Sequence, residues 1–92
     1  MAFTTINKPT DFFNTLLYTG TGAENALTGV GFQPDWIWLK KRGASGHHFL
    51  QDVVRGPTYQ LRSSTNTAET NNAQYVKSIQ SDGFTLGTDS DV

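Results

Sequence analysis

The stretch Trp36-Ile37-Trp38-Leu39-Lys40-Lys41 decides how this chain is read. Successive side chains on a strand point to opposite faces, so Trp36, Trp38 and Lys40 share one side and Ile37, Leu39 and Lys41 the other. Turn-forming residues bound it: Gly29-Val30-Gly31-Phe32-Gln33-Pro34-Asp35 before it, and Gly43-Ala44-Ser45-Gly46 after it. No window of the chain sustains apolar residues at i, i+3, i+4 and i+7 over three turns, which a packed helix requires.

Working outward toward the C-terminus, the strand-and-turn rhythm continues. His47 to Asp52 reads as a returning strand, with His47, Phe49 and Gln51 on one face and His48, Leu50 and Asp52 on the other. Pro57 cannot donate to a central ladder and ends that stretch. Tyr59 to Ser63 is a further strand, and Ser64 to Asn72 is a polar loop with no apolar anchor. Tyr75 to Gln80 and Phe84 to Leu86 flank Ser81-Asp82-Gly83, where Asp82-Gly83 predicts a tight turn with positive φ. Toward the N-terminus, Ala26 to Thr28 is a short strand expected to pair back on Phe12 to Thr19, the first strand. In that strand Phe12, Leu16 and Tyr18 face one way, and Phe13 and Leu17 the other. Pro9 separates an extended arm, residues 1–10, from a single domain over residues 11–92. The sum is an all-β, antiparallel fold with helix under about a fifth of its residues.

Composition narrows the chemistry. The 92 residues contain no cysteine, so neither a disulfide nor a thiolate metal site can staple the fold. Seven Lys and Arg stand against eight Asp and Glu, a balance without the electrostatic footprint of a nucleic-acid or anionic-membrane binder. Met1 to Asn7 has neither a basic nor an apolar leader segment, and no run approaches the ~18 apolar residues of a membrane helix. A soluble chain is the expectation.

Catalytic and metal sets fare poorly. His47 and His48 are adjacent and point apart on a strand, so they do not share an ion easily, and one buried, one exposed His is expected. His48, Asp52 and a nearby Ser63 or Ser64 lack the strained elbow and oxyanion donors that a hydrolytic triad needs. Glu24 and Glu69 are the only Glu residues and sit in polar loops, where solvation is the expected state. Asp89-Ser90-Asp91 offers oxygens at short spacing without the rest of a calcium loop. Asp52 and Arg55 are expected to form a structural ion pair. The expectation is therefore no enzyme, no cofactor and no metal. Aromatic faces remain the functional lead. Trp36 and Trp38 share a strand face and, with Tyr59, form the candidate binding set, either an aromatic platform or an interface. Burial of the two Trp in the core is the plainer expectation for them.

Four segments, in order, resemble a known family. They are Gly29 to Lys40 as quoted above, then Leu50-Gln51-Asp52-Val53-Val54-Arg55-Gly56, then Leu61-Arg62-Ser63-Ser64-Thr65-Asn66-Thr67-Ala68-Glu69, then Ser81-Asp82-Gly83-Phe84-Thr85-Leu86-Gly87. Their order and spacing, from about Leu17 to Gly87, is similar to a domain of tail-fibre and other virion structural proteins of marine bacteriophages, related to concanavalin-A-like lectin sandwiches. The resemblance implies a jelly-roll sandwich, a virion location after assembly in the host cytoplasm, no catalysis, and partners that are other virion proteins and copies of itself, commonly as a homotrimer. A capsid decoration protein and a carbohydrate-binding module for host surface glycan are the alternatives, with a fragment of a glycan-degrading enzyme well behind. Members of this kind continue with further strands past the last motif. This chain is thus expected to be the front part of a longer domain, or a short version completed by its neighbours. Apolar residues on both faces of Phe12–Tyr18 and Trp36–Leu39 ask for cover on two sides, so a stable lone monomer is not expected.

Overall fold

A computed structural model describes residues 8–92. Seven strands form two antiparallel sheets: β1 (Asn25–Leu27), β2 (Trp36–Lys40), β3 (His48–Asp52), β4 (Tyr59–Arg62), β5 (Thr70–Asn71), β6 (Val76–Gln80) and β7 (Gly83–Leu86). One sheet runs β1-β7-β6 and the other β2-β3-β4-β5. The described residues hold no α-helix, only a 3-10 turn at Pro9–Asp11. The all-β sandwich expected from the strand rhythm is the fold that forms.

The core lies between the sheets. Ile37 and Leu39 of β2 and Phe49 of β3 meet Val76 of β6 and Phe84 and Leu86 of β7, with Val30 and Tyr75 closing the ends. Phe49 stacks on Tyr75 with ring centroids 4.4 Å apart, and the Arg62 guanidinium sits 5.6 Å from the Phe49 ring centre on its own sheet. Beyond Phe49 the inner face turns polar. Gln51 and Gln60 are fully buried there, held through Pro57 O and Thr70 Oγ1 respectively. Burial pushes the Tyr18 and Tyr75 hydroxyls up from their ordinary pKa, because the charged phenolate loses water.

Several local expectations are corrected. Phe12–Thr19 is not a strand. Its residues are strand-like, but a strand exists only against a partner edge, and no main-chain-to-main-chain hydrogen bond ties residues 14–20 to another part of the described chain. The segment is held instead by Tyr18, packed against the core, and by Asn14 Nδ2 donating to Val30 O at 3.1 Å. Consequently β1 pairs with β7, with Leu27 opposite Phe84, and not with Phe12–Thr19. The polar stretch Ser64–Asn72 contributes β5, pinned by Tyr59 opposite Asn71. Of the proposed arm, residues 1–7 lie outside the described residues, while Pro9 and Thr10 belong to the 3-10 turn.

The hairpin between β6 and β7 is also tighter than the sequence suggested. Its loop is Ser81-Asp82, and Gly83 already pairs with Gln80 as the first residue of β7. Gly83 does not have positive φ; among the described residues only Gly22, Gly29, Gly31 and Gly56 do. The hairpin loop is braced from outside. Gly29 N and Gly31 N donate to the two Asp82 carboxylate oxygens at 3.0 and 2.8 Å, and Val30 N donates to Asp82 O at 3.1 Å. Three successive amides can converge on one residue because φ is +86 at Gly29 and +92 at Gly31, a region that side chains rarely adopt.

These amide bonds hold the Asp82 carboxyl below its ordinary pKa, the Gly29 N–H first and Gly31 N–H next. Asp52 is lowered too, chiefly by the Arg55 main-chain N–H and then by its side chain. A depressed folded-state pKa means that the ionised form stabilises the fold above the unfolded value of about 4. That contribution disappears as pH falls through the folded value. Thermal melts are therefore expected to be level from neutral pH down to about pH 5 and to decline modestly below about pH 4. Asp82→Asn should shallow that acid limb; an acid limb identical to the parent chain's would show that Asp82 is not part of it.

Candidate functional site

The register of the four-stranded sheet assembles its outer face. Trp36 stands opposite Asp52, Trp38 opposite Leu50 and Lys40 opposite His48, and Leu50 stands opposite Leu61 in turn. Tyr59 lies two residues from Leu61 on the same side, opposite Asn71 of β5. Trp36, Trp38, Leu50, Leu61 and Tyr59 thus form one apolar field on the side turned away from the core.

The field is open to solvent. Trp36 is 51% exposed, Trp38 56% and Tyr59 38%, and Leu50 and Leu61 are half-buried. Core burial of the two Trp is therefore overturned. β2 alternates strictly, and Ile37 and Leu39 take its inner positions, which leaves Trp36 and Trp38 the outer ones. The two indoles lie 6.1 Å apart between centroids and 58° apart in plane. Trp38 is fixed in orientation, because its Nε1–H donates to His48 Nδ1 at 2.9 Å. With its polar edge satisfied, the indole offers its faces as plain apolar surface.

The three residues singled out from sequence, Trp36, Trp38 and Tyr59, do share this one surface. The sequence reading did not find Leu50, Leu61 or the His48 lock, which depend on a register that no local motif prints. His47 and His48 are both half-buried and both hydrogen-bonded, His47 through Ser64 Oγ at 3.0 Å. That replaces the expected one-in, one-out arrangement. The described residues hold no cluster of three or more His, Asp or Glu side chains able to grip a metal ion. No helix among them is long and apolar enough to cross a membrane.

Charged groups frame one end of the field. Arg55 is clamped by Asp52 Oδ2 at 2.9 Å and by Glu69, while its own amide donates to Asp52 Oδ1 at 2.8 Å. These carboxylates raise the Arg55 pKa further, Asp52 first. Glu69 is thus an ion-pair partner and not a free loop acid, and Glu24 likewise meets Lys77 at 3.3 Å. The clamp fixes the turn that carries Val53 and Val54 beside the field, with Val54 94% exposed.

A groove of about 770 Å³ borders the field along β2. The outward edge of β2 forms one wall, and Phe12, Phe13, Leu16 and Tyr18 form the other. Phe12 and Phe13 are themselves mostly exposed. The surface is mainly apolar, with Asp11, Asp35, Lys40 and His48 among the polar groups that border it. It can hold a partner by contact.

Fold and site together define a small β-sandwich domain with an open aromatic sheet face. Residues 8–92 match the family described as a domain of unknown function (DUF7483), and the chain belongs to that family. No curated protein and no solved structure matches the chain.

Proposed function

We propose that this chain is a non-catalytic structural module of a bacteriophage virion, part of a tail fibre or similar appendage, which packs against other virion proteins and copies of itself and serves host attachment. The observation that supports it most is the outer sheet face of Trp36, Trp38, Leu50, Leu61 and Tyr59. Contiguous apolar surface beyond a few hundred Å² is uncommon on a soluble monomer and marks a contact site. The four-segment resemblance supplies the virion setting. Mass spectrometry of purified particles from the source that encodes the chain is expected to find its peptides in the particle fraction. Particles free of those peptides would remove the virion reading.

One observation favours a second reading, attachment through host surface glycan. The Trp38 indole is locked by His48 and its face is left free, as a sugar-stacking ring requires. Under this reading, retention on immobilised bacterial surface polysaccharide should fall about fivefold or more in Trp38→Ala, since stacking is worth on the order of 1 kcal/mol or more. Equal retention of Trp38→Ala and the parent chain would exclude the glycan platform and leave protein contact.

A further inference from the structure

We propose that the free edge of β2 is a self-pairing surface, joined by β2 of a second copy in antiparallel register centred on Trp38. The proposal rests on the assembly reading above and names the partner of that same surface.

Among the described residues the sandwich has four strand edges without a partner strand, and three of them are blunted. β1 has three residues and β5 two, too short to template a partner. β6 is interrupted by a bulge between Val76 and Ser78 and carries Lys77 there. Short strands, bulges and Lys are the usual protections against edge-to-edge pairing. β2 has none of them along Trp36–Leu39: it is five residues long, regular, and charged only at Lys40.

The hydrogen-bonding phase of that edge follows from one bond. Val53 N donates to Asp35 O, so the pair 35/53 is bonded, and with it the alternating pairs Ile37/Gln51 and Leu39/Phe49. The main-chain groups of Trp36, Trp38 and Lys40 therefore point away from β3, into the groove. Opposite them, residues 12–18 make no main-chain bond to β2.

A second β2 satisfies all of these groups at once. Antiparallel pairing centred on Trp38 sets Trp38 against its own copy and Trp36 against Lys40 in both directions. Outward-pointing residues then face only outward-pointing residues. The same register continues past the strand ends to set Lys41 opposite Asp35, a charge match repeated twice by the two-fold axis. Each Lys40 ammonium comes over a Trp36 ring, a favourable cation–π placement. The two outer faces join into one sheet with four indoles at its centre. The half-exposed aromatic pair on each copy supplies up to about a third of the roughly 800 Å² per partner that a specific contact buries. A glycan would cover far less of it and would leave the edge amides unpaired.

Amide hydrogen exchange of the full chain, followed from about 10 μM to about 1 mM beside sedimentation equilibrium, tests this. The expected result is a two-copy mass at the upper end, with exchange at Trp36, Trp38 and Lys40 slowed on the order of tenfold or more while Ile37 and Leu39 stay unchanged. Asp35→Lys and Lys41→Asp should each weaken the pair, and the double variant should restore it. Association that leaves the three amides exchanging freely, or a three-copy mass, overturns edge pairing and leaves the assembly reading standing. A chain that stays single throughout overturns edge pairing and leaves the particle proteomics to decide the virion reading.

Discussion

Gly83→Ala is expected to remove most of the fold's stability. A Cβ at this position would overlap the Leu27 carbonyl oxygen, far inside van der Waals contact distance, with Leu27 C at 2.9 Å and Thr28 Cα at 3.2 Å. All three atoms are backbone, so no rotamer change can make room. β1 and β7 would have to part, and with them the pairing of Leu27 with Phe84. Overpacking commonly costs about 1–3 kcal/mol, and more where nothing can move. Against a total stability near the low end of about 5–15 kcal/mol for a chain this small, that is most of the margin. The melting temperature should fall by more than about 12 °C. A variant that melts within a few degrees of the parent would show that β1 does not lie where it is described.

The same residue illustrates how much of the fold was legible. Asp82-Gly83 announced a hairpin, and a hairpin is there. Local sequence pointed to the wrong cause for the glycine, because positive φ is a local signal whereas the approach of Leu27 comes from a strand more than fifty residues earlier. β2, β3 and β6 were readable for a similar reason in reverse. They are short runs rich in β-branched, aromatic and other apolar residues, and the turns that bound them are local. The Phe12–Thr19 stretch is as rich in strand-type residues and forms no strand, since pairing needs a free edge and composition says nothing about where one lies. β5, with two residues, carries too little pattern to be seen at all.

For the site, residue type was legible and its direction was not. Two Trp on one face of a strand can be core or surface, and the choice turns on which neighbour faces inward. Ile37 and Leu39 are smaller and wholly apolar, and the space between the sheets takes them together with Phe49. The Trp side chains are left outside, where they lie against each other and Trp38 is bonded to His48. Nothing within Trp36–Lys40 states that preference. It emerges from the packing of β7 across the core, and a reading confined to one strand cannot contain it. Arg55 was legible because its partner Asp52 is three residues away; Glu69, fourteen residues away, was not.

A paired measurement separates the two aromatic populations and so tests whether the Trp face is kept for contact. Phe49→Ala should cost about 3–5 kcal/mol, as large aromatic truncations in a core do. Phe49 is 1% exposed, stacks on Tyr75 and lies against the Arg62 guanidinium. Its loss leaves a cavity between two sheets that cannot close it without breaking register. Trp38→Ala removes a ring of larger volume, yet one that is 56% exposed and bound to the fold by a surface hydrogen bond to His48. Its cost should be within about 1 kcal/mol in dilute chain. Denaturant titration at low concentration gives both numbers. At high concentration the order of effects on association should reverse, with Trp38→Ala the damaging change. If Trp38→Ala proved as destabilising as Phe49→Ala in dilute solution, the indole would be part of the core, and neither contact proposal could rest on it.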